Sequence, residues 1–119
     1  MRKTTILLVV LLATLTLKKS CAQFVTIPDA NFVTWLNAHG YSTCLNGNQL
    51  DTTCLQVVSP SSITINSSNI SNLTGLQYFD HLVYLSCSNN QLTSLPRLPL
   101  SLQTLFCSSN QLTTLPALP

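Results

Sequence analysis

Glutamate is missing from this 119-residue chain, and charge of either sign is scarce: five Lys/Arg and three aspartates, 7% of all residues. Four of the five basic residues (Arg2, Lys3, Lys18, Lys19) fall within the first nineteen positions. Beyond Ala22 a single arginine, Arg97, stands against Asp29, Asp51 and Asp80, so that stretch carries −2 and the formal +2 of the whole chain misleads. No basic patch exists to displace counterions from a phosphate backbone, which excludes a nucleic-acid partner. Paired carboxylates for acid–base chemistry are also lacking, since Asp29 suits a helix cap, Asp51 a loop and Asp80 a connector. There is no G-x-S-x-G elbow for a nucleophilic serine. Cysteine spacings of ten, thirty-three and twenty, with His39 and His81 scattered as exposed polar residues, provide no zinc site. Asn46-Gly47-Asn48 has the look of a calcium loop but lacks the closing bidentate acid. The chain is therefore expected to be no enzyme and to hold no metal or cofactor. What it has in quantity is apolar, 45% of the residues, and that excludes a disordered tail.

The first 22 residues read as a secretory signal peptide. Met1-Arg2-Lys3 is a positive start, Ile6 to Leu17 is an apolar core, and Ser20-Cys21-Ala22 places small residues before a cut at Ala22/Gln23. That apolar core is short of the ~20 residues a membrane-spanning helix needs, so no membrane span is expected after cleavage. Two alternatives stay open: acylation of Cys21, although Lys-Lys-Ser before it is a poor lipobox, and an uncleaved anchor. In each case the product lies outside the cytoplasm, secreted or at the cell surface.

A period of twenty organises the second half. LVYLSCSNNQLTSL (Leu82–Leu95) aligns with LQTLFCSSNQLTTL (Leu102–Leu115), and the match runs on through Pro96/Pro116, Leu98/Leu118 and Pro99/Pro119. A weaker copy at an offset of 22 places Ile63, Ile65, Ile70, Leu73 and Leu76 in register with Leu85, Cys87, Leu92, Leu95 and Leu98. The pattern L-x-x-L-x-C-x-x-N-x-L reads as a leucine-rich repeat. Alternation predicts a short strand per repeat, with Leu85 and Cys87 facing inward and Ser86 and Ser88 outward. Asn90 and Asn110 are expected to turn the chain, their amides satisfying backbone groups. The Leu-Pro-x-Leu-Pro return, too proline-rich for a helix, is expected to be extended. The predicted fold class is an α/β-type solenoid, mainly β: a short leucine-rich-repeat coil with a parallel strand per repeat, extended Pro-rich backs and an N-terminal helical cap. Its parts are 1–22 signal peptide, 23–62 cap with a helix near 30–38, and repeats at 63–84, 85–104 and 105–119, the last incomplete. Because no polar closing segment is seen after the last repeat, the sequence is expected to be a fragment of a longer protein.

Within the cap, Asp29 is placed to start a helix at Ala30, Phe32, Val33 and Leu36 form its apolar face with Trp35 flanking, and Gly40 is its stop. Cys44 and Cys54 bracket the turn-rich Leu45–Thr53 loop and are predicted to pair, a bridge worth roughly 2–3 kcal/mol. Cys87 and Cys107 occupy equivalent inward positions about one strand spacing (~4.8 Å) apart, longer than a disulfide prefers. They are read as a buried thiol ladder, with a disulfide or a reactive thiol as alternatives. The sequons at Asn66, Asn69 and Asn72 would matter only on a eukaryotic secretory route.

The stretch LPRLPLSLQTLFCSSNQL (Leu95–Leu112), with IPDANFVTWL before the repeats, resembles secreted, cysteine-containing leucine-rich-repeat proteins of the Bacteroidetes group with short LPxLPxxLxxLxCxxNxL repeats. The resemblance covers Phe24 to Pro119 and implies a large surface or secreted protein, often with a C-terminal sorting domain that is not seen here. The LPxLP return also resembles effectors that join such repeats to a ubiquitin-ligase domain, likewise not seen here. The outward strand positions Thr64, Asn66, Tyr84, Ser86, Ser88, Thr104, Phe106 and Ser108 make a polar, uncharged face with two aromatics, suited to a protein or glycan ligand. The function expected is non-catalytic protein–protein or adhesive recognition. A passive spacer and the substrate-recognition arm of a larger secreted enzyme are the alternatives.

Overall fold

A computed structural model of the protein describes residues 23–119. The expected signal peptide at 1–22, with its expected cleavage site and Cys21, lies outside these residues. Strand β1 (Phe24–Thr26) leads through Ile27-Pro28 to helix α1 (Ala30–Ala38). Asp29 starts the helix because its Oδ1 accepts the N–H groups of Asn31 (2.9 Å) and Phe32 (3.0 Å), donors the first turn would otherwise leave unbonded. The helix ends where Gly40 turns to φ +93° and the Tyr41 N–H bonds back to the Leu36 carbonyl at 3.1 Å. A 3-10 turn (Ser42–Cys44) then enters a hairpin of β2 (Leu45–Asn46) and β3 (Gln49–Asp51), closed at Gly47-Asn48 with Gly47 at φ +61°. A single helical turn, α2 (Leu55–Val58), comes next. Cys44 and Cys54 form a disulfide across the hairpin with Cα atoms 5.6 Å apart.

The second half contains three short strands, β4 (Ser62–Thr64), β5 (Tyr84–Ser86) and β6 (Thr104–Phe106), and a 3-10 turn at Leu76–Tyr78. They form one parallel sheet in the order β4-β5-β6, with Ile63 beside Leu85 and Leu85 beside Leu105.

The expected fold class is corrected by this topology. A mainly-β leucine-rich-repeat solenoid would place all its strands in one parallel sheet over the repeats at 63–119, with a helical cap and a loop before them. The strands instead divide between two small sheets of opposite kind. β1, β3 and β2 make an antiparallel sheet in that order, with Val25 opposite Leu50 and Leu45 on the other side of Leu50. The Leu45–Thr53 stretch, expected to be a loop, supplies two of those strands. Two- and three-residue strands are too short to show the alternation that marks a strand in a sequence. The twenty-residue period survives only as strand register in a three-stranded sheet. The two connections within that sheet also differ, one with a 3-10 turn and the other without regular structure. No solenoid or repeating coil is present among the described residues; the architecture is two three-stranded sheets with few helices.

One continuous core joins the two sheets, from Ile27, Phe32, Leu36 and Leu50 through Ile65, Leu73 and Phe79 to Leu85, Cys87 and Leu92. Burying each large side chain contributes roughly 1.5–3 kcal/mol. Gly75 sits where the halves meet, at φ +115°, and a Cβ there would run into Ile27 Cδ1. Tyr41 and Phe79 pack edge to face across the same boundary, their ring centroids 5.5 Å apart. Asp29 bonds across it too: Oδ2 accepts the N–H and Oγ–H of Ser71 (2.8 and 2.9 Å) and the Asn72 N–H (3.0 Å). Burial alone would raise the carboxyl pKa of Asp29. The hydrogen bonds from Ser71, Phe32 and Asn72 outweigh it and hold the pKa below the ordinary carboxylate value.

Candidate recognition face

The face of β4-β5-β6 turned away from the core is a three-by-three array. Strand pairing sets Ser62, Tyr84 and Thr104 in one row and Thr64, Ser86 and Phe106 in the next. Asn66, Ser88 and Ser108 form the third row, just past the strands. It is tied by the Ser88 N–H donating to Asn66 Oδ1 at 2.8 Å and by the Ser108 hydroxyl donating to Ser88 Oγ at 3.1 Å. All eight positions named from the sequence fall in this array. The ninth, Ser62, was missed, although its offset of 22 from Tyr84 is the one that relates Ile63 to Leu85.

The array is anchored by the side-chain amides just past its strands. Asn90 Oδ1 accepts the N–H groups of Ser68 and Ile70 (both 3.1 Å), while Nδ2 donates to the carbonyls of Ile65 (2.7 Å), Cys87 (3.1 Å) and Ser88 (3.3 Å). Asn110 does the same one strand on, accepting from the Leu92 N–H at 3.1 Å and donating to the carbonyls of Cys87, Cys107 and Ser108. Ahead of each amide the chain turns through the left-handed region, at Asn89 (φ 57°) and Ser109 (φ 54°).

Position in the array does not equal exposure. Ser86 and Ser88 point to the outer side, yet are only 5% and 9% exposed. The Ser86 hydroxyl donates to Asn66 Oδ1 at 2.8 Å, with Phe106 directly beside it on β6 and Tyr84 two residues before it on β5. These two serines are internal supports rather than contact groups. The groups left for a ligand are Ser62, Thr64, Asn66 and Ser108 (exposed), Tyr84 and Thr104 (half-buried), and Phe106, which is 52% exposed. The Tyr84 and Phe106 centroids lie 5.8 Å apart with planes inclined by 52°, a shallow trough rather than a flat platform. Asn66 accepts with its oxygen, so its NH2 group is the half that can donate outward.

The cysteines sit elsewhere. Cys87 and Cys107 lie on the core side of the parallel sheet, both as free thiols, Cys87 buried and Cys107 partly so. Burial, and secondarily the neighbouring Cys107, push the Cys87 thiol up to about 12, so it is not a nucleophile at neutral pH. Cys44 and Cys54 are bonded in the other half. Asp29 is occupied by its cap, and Asp51 Oδ1 by the N–H and hydroxyl of Thr53 (2.9 and 2.7 Å). Asp80 and Arg97 line a cleft of about 560 Å³ with Gln77, Tyr78 and Leu98, formed by the 3-10 turn and the proline-rich return and including no position of the array. Among the described residues no group of three or more His, Cys, Asp or Glu is placed to hold a metal ion, and no helix is long and apolar enough to cross a membrane. No family model matches the chain, and no curated protein matches it.

Proposed function

We propose that the protein is a non-catalytic recognition module, secreted or displayed at a cell surface, that binds a protein or glycan ligand through the outer face of the β4-β5-β6 sheet. The observation that carries this reading is the Tyr84–Phe106 pair, two rings on adjacent strands within an array that has no charged side chain. A half-exposed Phe beside a Tyr, ringed by hydroxyl and amide groups, offers packing area together with adaptable hydrogen bonds, the mixture used by recognition surfaces. The extracellular address is supported by the amino-terminal signal pattern and by the Cys44–Cys54 disulfide, a bond that persists in oxidising compartments. The resemblance in sequence to secreted bacterial surface proteins points the same way.

The test is binding of the labelled chain to whole cells and to arrays of proteins and glycans, comparing wild type with Tyr84→Ala/Phe106→Ala. Loss of binding by at least tenfold is expected if rings of this kind are the anchors. Binding that survives both substitutions shows that the ligand sits on another face. A wild-type chain that binds nothing leaves the passive spacer as the better description.

A further inference from the structure

We infer that the ligand of this face is a neutral saccharide, one or two sugar rings long, seated in the trough between Tyr84 and Phe106. The inference rests on the recognition reading above and narrows it by size and by charge. Three strands spaced ~4.8 Å apart and rows separated by two residues of ~3.3 Å give an array of roughly 10 by 13 Å, on the order of 130 Å². A stable protein partner buries about 800 Å² of accessible surface and 20–30 residues on each side, so it would have to reach well beyond these nine positions. A pyranose ring is about as wide as one strand spacing (~4.8 Å), so the array has the footprint of a short saccharide.

Charge narrows the class further. None of the nine positions is Asp, Glu, Lys, Arg or His, and the one arginine beyond the leader, Arg97, lines the cleft formed by the proline-rich return. An anionic sugar, a sulfated glycan or a phosphate would therefore find no counter-charge at the array, and a cationic ligand would find no carboxylate. A neutral sugar needs neither. One face of its ring carries C–H groups that pack on an aromatic ring, and its edge carries hydroxyls. The array supplies both complements, with Phe106 and Tyr84 for the C–H face and the Asn66 NH2, Thr64 and Thr104 for the hydroxyls. The tilt of 52° between the rings lets one sugar lean on both.

Saturation-transfer NMR and calorimetry on the full chain test this. The probes are tetrasaccharides of β-linked glucose, α-linked glucose and β-linked N-acetylglucosamine, with a sulfated disaccharide as the charged comparison. At least one neutral probe is expected to bind with a Kd of about 1 mM or tighter. Phe106→Ala should weaken it about tenfold, as removal of a stacking ring does elsewhere, while Phe106→Trp retains it. Because Phe106 is half exposed, the Ala variant is expected to keep its urea midpoint, which is measured alongside. Absence of transfer from all three neutral probes overturns the inference. So does binding indifferent to Phe106→Ala, or preference for the sulfated probe. If the double variant loses binding to a protein on the array while no saccharide binds, the saccharide inference fails and the recognition reading stands. If neither kind of ligand responds to the substitutions, both fail.

Discussion

The antiparallel half, Phe24 to Val58, is held mainly by devices of different kinds, whereas between Ser62 and Pro119 one amide-and-turn device recurs. The antiparallel half is held by one disulfide, one hairpin with its glycine, and one carboxylate that caps α1 and reaches across to Ser71 and Asn72. In the parallel half an amide bonds two neighbouring strands at Asn90 and again at Asn110, and a left-handed residue precedes it each time. The contrast teaches where redundancy lies. A unique device is all or nothing for its half, while a recurring device is present at several settings of burial within one molecule, which makes its worth measurable by internal comparison.

The sharpest form of that comparison is Asn90→Ala against Asn110→Ala. Asn90 is buried and makes five bonds; its removal strands the Ile70 N–H and the Ile65 carbonyl inside the protein and leaves the part-buried Ser68 N–H to water. Each stranded group costs about 1–3 kcal/mol, so a loss of roughly 3–4 kcal/mol is expected in urea denaturation. Asn110 is half-buried and accepts from Leu92 alone, so water can replace part of what it does. Its loss should be about 1–2 kcal/mol. Equal costs would break the comparison, showing that position along the sheet does not grade the device.

In the other half the test is acid. The folded-state pKa of Asp29 lies below its ordinary 3.8, so the unfolded chain takes up its proton first as pH falls. The stability contributed by the carboxylate is fully present above about pH 5 and is lost as the pH drops through 3.8 and then through the lower folded value. Asp29→Asn removes that pH dependence and, at neutral pH, costs about 1–2 kcal/mol, since an amide cannot accept from both Phe32 and Ser71–Asn72 as a carboxylate does. Urea midpoints between pH 7 and 2.5 check it. A wild-type profile no steeper than that of the variant would mean that the bonds to Ser71 and Asn72 contribute nothing across the boundary.

The same contrast governs how much was legible in the sequence. Recurrence exposes itself on self-alignment, and so Leu85 beside Leu105, the turn amides and eight of nine array positions could be read from residue types and offsets. The start of α1 at Asp29 was legible because a capping residue is marked by the apolar-periodic run just after it. That Asp29 also reaches Ser71 was not, because a contact 42 residues away leaves no local mark. Nor was the reason for Gly75, which lies in the approach of Ile27 from the other half. The solenoid reading failed for a related reason. It took the period after residue 62 for a repeating coil, where the chain forms only a three-stranded sheet, and it read residues 23–62 as helix and loop, where β1, β2 and β3 are too short to show a strand pattern. Burial of Ser86 also escaped a face assignment made by alternation, which gives the side of the sheet and not the neighbours there, Phe106 on β6 and the Asn66 amide it bonds.

The smallest expected effect separates the two settings of the left-handed turn. Asn89 and Ser109 share nearly the same φ (57° and 54°), but asparagine tolerates that region and serine is less at ease there. Replacing either by glycine removes the steric cost of a Cβ and adds chain entropy to the unfolded state, two terms of opposite sign. For Ser109 the steric relief is the larger and Ser109→Gly should gain about 0.5–1 kcal/mol, a few degrees in Tm. For Asn89 the two terms nearly cancel, and Asn89→Gly should stay within about 0.5 kcal/mol of wild type. Both sites are exposed, so packing does not enter. If Asn89→Gly gains as much as Ser109→Gly, the side chains at these turns are interchangeable, and the difference between the two copies lies wholly in the amide one residue further on.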